Sequence, residues 1–107
     1  MNPAPLRLRW LEAASRDLNA IASYIANFSE FGAIHWLTTI DKRVVLLKAH
    51  PYSGEAFPRN RLFRRIFVGS YVLYYTVDES EVVIRGIIHG ARRLSRSWLA
   101  RRGKMKD

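Results

Sequence analysis

The sequence predicts an α+β fold: a short N-terminal strand, an αα-hairpin packed on one face of an antiparallel sheet (β-α-α-β-β-β), and a possible short C-terminal helix. Three observations lead there. The run 62–77 reads as two strands rich in aromatic and β-branched residues, joined by Gly69-Ser70. Gly in the first central position of a two-residue connector is the type II′ signature, because only Gly enters positive φ there without cost. Apolar residues then recur every three or four positions between Leu11 and Leu47, the helical period. Finally, Leu6-Arg7-Leu8-Arg9-Trp10 alternates apolar with basic, the period of a half-buried strand.

Each element has its own signals. The first helical stripe is Leu11, Ala14, Leu18, Ile21, Ala22, Ile25 and Phe28, with Glu12 and Asp17 placed early, where acids suit the helix dipole. The break falls at Asn27-Phe28-Ser29, and Ser29 is expected to cap a second helix with Glu30 in its first turn. The second stripe is Phe31, Ile34, Leu37, Ile40, Val44 and Leu47, ending near Ala49-His50 because Pro51 disfavours helix before it. Residues 51–61, with two prolines and a glycine, are expected to form a loop without regular structure, anchored by Phe57. A third meander strand runs from Val82 to His89 after Asp78-Glu79-Ser80-Glu81. Leu94, Trp98 and Leu99 share one side of a short helix, and 103–107 are expected to fray. The face of the sheet opposite the helices is expected to stay at least partly open to a partner.

With 107 residues, 49% of them apolar, one core and one domain over 1–107 are expected, with a basic tail at about 94–107. No apolar run reaches the roughly 20 residues of a membrane span. Met1-Asn2-Pro3-Ala4-Pro5 lacks the basic-then-apolar pattern of a signal peptide. The absence of cysteine excludes disulfides and thiolate metal sites and fits a reducing cytoplasm. His35 and His50 stand alone, so no metal site is expected, nor any cofactor.

The charge is uneven. The net of +9 divides into six bases against four acids in residues 1–50 and twelve against five in 51–107. An anionic partner, either nucleic acid or an acidic protein segment, accounts for that excess; a solvated basic surface is the alternative. The contact candidates are Arg64, Arg65, Tyr71, Arg85, Arg92, Arg93, Arg96 and Trp98.

Three segments in order carry a resemblance. Leu47…His50-Pro51-Tyr52-Ser53-Gly54, then Phe63-Arg64…Val68-Gly69-Ser70-Tyr71-Val72-Leu73-Tyr74-Tyr75, then Ile87-Ile88-His89-Gly90-Ala91-Arg92 together resemble the ParE branch of the RelE/ParE toxin superfamily. Ala14, Asp17-Leu18, Ile21 and Tyr24-Ile25 also fit, so the likeness covers about residues 6–93. It implies the toxin of a type II toxin–antitoxin pair, cytoplasmic, and neutralised by an acidic, ParD-like antitoxin. ParE-type toxins are described as poisoning DNA gyrase, and RelE-type relatives as cutting messenger RNA on the ribosome. Relatives often carry an acid after the His-x-x-Arg motif, where this chain has Arg93.

Metal-independent RNA cleavage needs a base for the 2′ hydroxyl, cations for the phosphorane and an acid for the leaving oxygen. His89 is the candidate acid or base, with Arg64 and Arg85 as phosphate clamps. For each there is a structural alternative: His89 as a strand-end cap, Arg64 as a hydrogen-bonding arginine, Arg85 as a partner contact. Neighbours Arg64 and Arg65 point to opposite faces of one strand, whereas Arg85 and His89, four apart, are expected to share a face roughly 13 Å apart. Loop Glu55 lies where the resemblance would allow a catalytic acid, with solvated surface as its structural alternative, and Tyr71, Tyr74 and Tyr75 read as packing or, on the open face, as stacking groups.

Overall fold

The computed structural model describes residues 5–107, so the expectation for the first four residues lies outside the described residues. Its order is β1 (Arg7–Trp10), α1 (Glu12–Ala26), α2 (Glu30–Ala49), β2 (Glu55–Ala56), β3 (Arg64–Val68), β4 (Tyr71–Val77), β5 (Glu81–His89) and α3 (Arg96–Lys104). The five strands lie in the order β1-β5-β4-β3-β2. All pairings are antiparallel except β1 with β5, which is parallel with Arg7 opposite Glu81 and Trp10 opposite Ile84.

The β3–β4 turn has Gly69 at φ +61°, the only positive φ among the described residues, as a type II′ turn requires. Ser29 caps α2 by accepting from the Gly32 amide at 2.9 Å. The αα-hairpin covers one face of the sheet over Leu11, Ala14, Ile40, Val44, Leu47, Leu73, Tyr75 and Ile84, all buried.

The inward face of α2 differs from the expected stripe. Ala33 and Trp36 are buried with Ile40, Val44 and Leu47, while Phe31 is 87% exposed and Ile34 61%. The reason is angular. Steps of three residues advance about 300°, so the series Phe31-Ile34-Leu37-Ile40 slips about 60° each time, and Phe31 ends opposite Ile40. Phe28 likewise lies past the end of α1 and is 76% exposed.

Three further expectations are corrected. The 51–61 segment contains the two-residue strand β2, paired to Arg64 and Arg65 of β3; its two residues fit between Gly54 and Pro58 at a sheet edge. The opposite face of the sheet is not open at its centre. Phe57, Phe63, Val72, Tyr74, Ile88, Leu94 and Leu99 bury a second cluster there, roofed by α3 and the 57–63 segment. The C-terminal residues are held in place: Arg9 donates to the Lys106 carbonyl at 3.0 Å and the Glu12 amide to Asp107 Oδ1 at 3.1 Å.

Candidate functional site

A bulge decides where the candidate side chains point. Tyr74 pairs with Gly86 and Tyr75 with Ile84, which leaves Arg85 as the extra residue of β5. The bulge shifts the alternation of β5. Arg85 therefore lies under α3, whereas His89, four residues on, stacks edge-on against Tyr71 (5.3 Å) on the side of the αα-hairpin. The expected common face for Arg85 and His89 does not exist.

Arg85 is a structural clasp. Its Nε donates to Thr76 Oγ1 (3.0 Å), and Nη1 donates to the carbonyls of Arg102 (3.1 Å) and Met105 (2.6 Å). Arg102 reciprocates by donating to the Arg85 carbonyl (2.8 Å) and to Asp17 Oδ2 (2.8 Å). Burial, the largest influence, pushes the Arg85 guanidinium down from its usual value, with the Arg9 charge adding to it. Asp17 also accepts the Ile87 amide (3.1 Å), in the part of β5 beyond its pairing with β1. A signal for Asp17 is present in the sequence: an acid three residues after Ala14 and four before Ile21 flanks the apolar stripe and needs a partner there.

Arg64 staples the 50–54 turn. Its Nη1 donates to the carbonyls of Gly54 (2.6 Å) and Tyr52 (3.3 Å), and the guanidinium lies 4.9 Å from the Tyr52 ring centre. Wholly buried Tyr75 completes the unit, donating to the Pro51 carbonyl (2.8 Å) and accepting the Gly54 amide (3.0 Å). Two of the motif segments of the sequence thus meet as a scaffold joint. Arg65 faces the other way, paired with Glu55 (2.6 Å) and set over Phe57 (5.0 Å) and Phe67 (5.3 Å).

Burial holds the Tyr75 hydroxyl above the usual tyrosine value, against the opposing pulls of the Gly54 hydrogen bond and the Arg64 charge. The folded state keeps a proton that the unfolded chain releases near pH 10. Stability from this group is complete below that pH and is lost as pH rises through the raised folded value. Tyr75→Phe is expected to flatten this alkaline decline and to cost about 1–3 kcal/mol at neutral pH, because the Gly54 amide loses its acceptor. Denaturant unfolding at about pH 8 and about pH 10.5 checks both effects.

His89 is exposed, with Nδ1 accepting the Ala91 amide at 3.1 Å. It shares a groove of about 380 Å³ with Tyr71, Arg92, Asp17 and Trp98, between α1, β5 and α3. Trp98 itself is half-buried, 5.6 Å from the Tyr74 ring and 6.3 Å from Phe63. Arg92, Arg93 and Arg96 are exposed. The fold therefore brings Tyr71, His89, Arg92 and Trp98 to one groove, but assigns Arg64 and Arg85 to other places.

Two surfaces remain unused by the fold. Tyr24, Phe28, Phe31 and Ile34 leave an apolar patch at the tip of the αα-hairpin. Cations occupy the outer side of α3 and the turn before it.

Solved structures share this architecture. A chain of the chromosomal ParDE toxin–antitoxin system from P. aeruginosa superposes with a TM-score of 0.67 at 21% identity, covering 78% of this chain and 95% of that one. The RelBE2 toxin–antitoxin complex from Mycobacterium tuberculosis gives 0.55 at 24% identity, covering 83% and 95%. At these identities the likeness is one of fold, that of the toxin–antitoxin proteins. The family model of the ParE toxin of the type II toxin–antitoxin system parDE matches residues 8–94, and the chain belongs to that family of toxins. No curated protein matches it significantly.

Proposed function

We propose that this toxin acts by binding and inhibiting DNA gyrase and is neutralised by an acidic antitoxin. The observation that carries this is the dispersal of the nuclease candidates. Arg64 is bonded into the 50–54 turn, Arg85 lies beneath α3, and His89 emerges on the other side of the sheet. A toxin whose nuclease candidates are dispersed in this way is better suited to occupying a target than to cutting one. Inhibition of gyrase is the activity of the ParE branch that the sequence resembles. The toxin then works in the cytoplasm, which its lack of cysteine fits. No helix among the described residues is long and apolar enough to cross a membrane. The described residues 5–107 are read as one domain, supported by the tie of α3 to the sheet through Arg85 and Arg102.

The ribosome-dependent endoribonuclease is the second reading, favoured by the groove that joins His89 to Tyr71 and Arg92. A supercoiling assay with purified gyrase, beside primer-extension mapping of messenger RNA after induction, separates the two. Gyrase inhibition is expected, with no new RNA ends. New ends with gyrase unaffected would establish the nuclease instead.

The antitoxin is expected to lay the apolar side of an amphipathic helix on Tyr24, Phe28, Phe31 and Ile34 while its acidic residues meet the basic chain. Its association rate is expected to fall about tenfold between low and high salt, with dissociation changing less. Stopped-flow mixing measures this, and an on-rate insensitive to salt would refute the electrostatic part.

A further inference from the structure

We propose that the outer side of α3, with the turn before it, binds the phosphate backbone of duplex DNA by charge and without base selection. This is independent of gyrase as the target. At about 100° per residue, Arg96, Arg101 and Lys104 fall within an arc of about 140° on α3. Trp98, Leu99 and Arg102 fill the arc turned to the sheet, with Leu99 buried. Arg92 and Arg93 extend the cationic surface on the turn before the helix. None of these five exposed cations has an ion-pair partner among the described residues, whereas Arg9, Arg65 and Arg102 are each paired with a carboxylate.

Folding does not account for the cluster. Cations suit the C-terminal turn of a helix, which explains Arg101 and Lys104 in part. Arg92, Arg93 and Arg96 lie at the opposite end, where the helix dipole disfavours them, and no acid stands in that first turn. The helix is also no loose tail. The clasp between Arg85 and Arg102, the Asp17–Arg102 pair and the packing of Trp98 on Tyr74 fix it on the sheet. The charges are therefore presented by a rigid element.

The chemistry of the surface selects its partner. Protein interfaces depend on aromatic and aliphatic anchors in their centre. Residues 90–107 expose no large apolar side chain, while the αα-hairpin exposes several. Single-stranded nucleic acid is held by stacking on exposed aromatic rings, whereas the ring of Trp98 is half-buried, packed by Phe63 and Tyr74 and covered by the Arg102 guanidinium at 4.9 Å. A row of cations with neither feature suits a regular lattice of phosphates. Arg96 to Lys104 span about 12 Å of helix, along which duplex DNA sets a charge every 1.7 Å or so.

The test is fluorescence anisotropy of a labelled duplex of about 20 base pairs with the full chain, from about 50 to about 300 mM NaCl. Five phosphate contacts predict a slope of log K on log salt of about −4.5. Arg96→Ala/Arg101→Ala/Lys104→Ala is expected to bring it to about −2 and to weaken binding at least tenfold, with the thermal midpoint little changed. Arg92→Ala/Arg93→Ala, outside the helix, gives a separate reduction if the triple variant misfolds. Arg16→Ala/Lys42→Ala, on α1 and α2, is expected to leave the slope close to that of the native chain. Any of four results overturns the proposal: no duplex binding at low salt, an unchanged slope in the α3 and turn variants, an equal loss in the α1/α2 variant, or tighter binding to a single strand or a polyglutamate peptide.

Discussion

Gly86→Ala is expected to unseat α3 from the sheet. Gly86 lies directly beneath the helix, and a Cβ there would run into Trp98 Cζ2 and into Arg102 Nη1 at 2.6 Å. The guanidinium can give way, but the indole cannot turn aside, because Tyr74 and Phe63 hold it on two sides. The helix must then lift, loosening the clasp between Arg85 and Arg102. Overpacking of this kind costs about 1–3 kcal/mol, or about 4–8 °C in midpoint per kcal/mol for a chain of this size. Thermal unfolding measures the loss, and a red shift of tryptophan emission reports the indole becoming wet. A native midpoint with unshifted emission would show that α3 does not rest on Gly86.

Gly54→Ala is expected to cost more, about 3 kcal/mol or above, because here neither obstacle can move. The added Cβ would lie 2.5 Å from Tyr75 Oη and 2.7 Å from the Arg65 carbonyl oxygen, one a wholly buried side chain and the other strand backbone. The substitution drives the 50–54 turn off β3. Arg64 loses its carbonyls, and the two residues of β2 lose their pairing. Tyr75→Phe in the same chain removes the nearest obstacle, Oη, and leaves the ring Cε1 at 2.9 Å. The double variant is therefore expected to cost less than the sum of the single changes. Denaturant midpoints of the four chains decide it, and strict additivity would mean that Gly54 and Tyr75 do not press on each other.

Much of this was legible in the sequence because the local signals agreed. Gly69-Ser70 marked its turn, Ser29 its helix cap, and Pro51 the end of α2. What escaped was phase. Steps of three read as a stripe in Phe31-Ile34-Leu37 turn steadily around the helix, so the residues expected in the core form an exposed patch instead. One extra residue at Arg85 likewise turned an expected pair of site residues to opposite faces. No strand period shows a bulge in advance.

Two of the motif segments are structural. His50 to Gly54, Arg64 and Tyr75 meet in a joint of three hydrogen-bonded carbonyls and one amide. Arg64 and Arg85 carry the charge a nuclease needs, but Nη1 of each donates to backbone carbonyls, and Arg85 Nε donates to Thr76 Oγ1. The surfaces proposed for function are ones that folding leaves unpaired: the apolar tip of the αα-hairpin and the cations around α3.

The most direct measurement is growth arrest on induction of His89→Ala, without antitoxin, beside the native chain. His89 is exposed at the end of β5, and its truncation gives up only the Ala91 amide bond and the edge contact with Tyr71, so the protein is expected to stay folded, as its thermal midpoint would show. A toxin that works by occupying its target arrests growth as strongly with alanine there. Loss of arrest by a folded His89→Ala protein, together with loss of messenger RNA cuts made by the native chain, would contradict it.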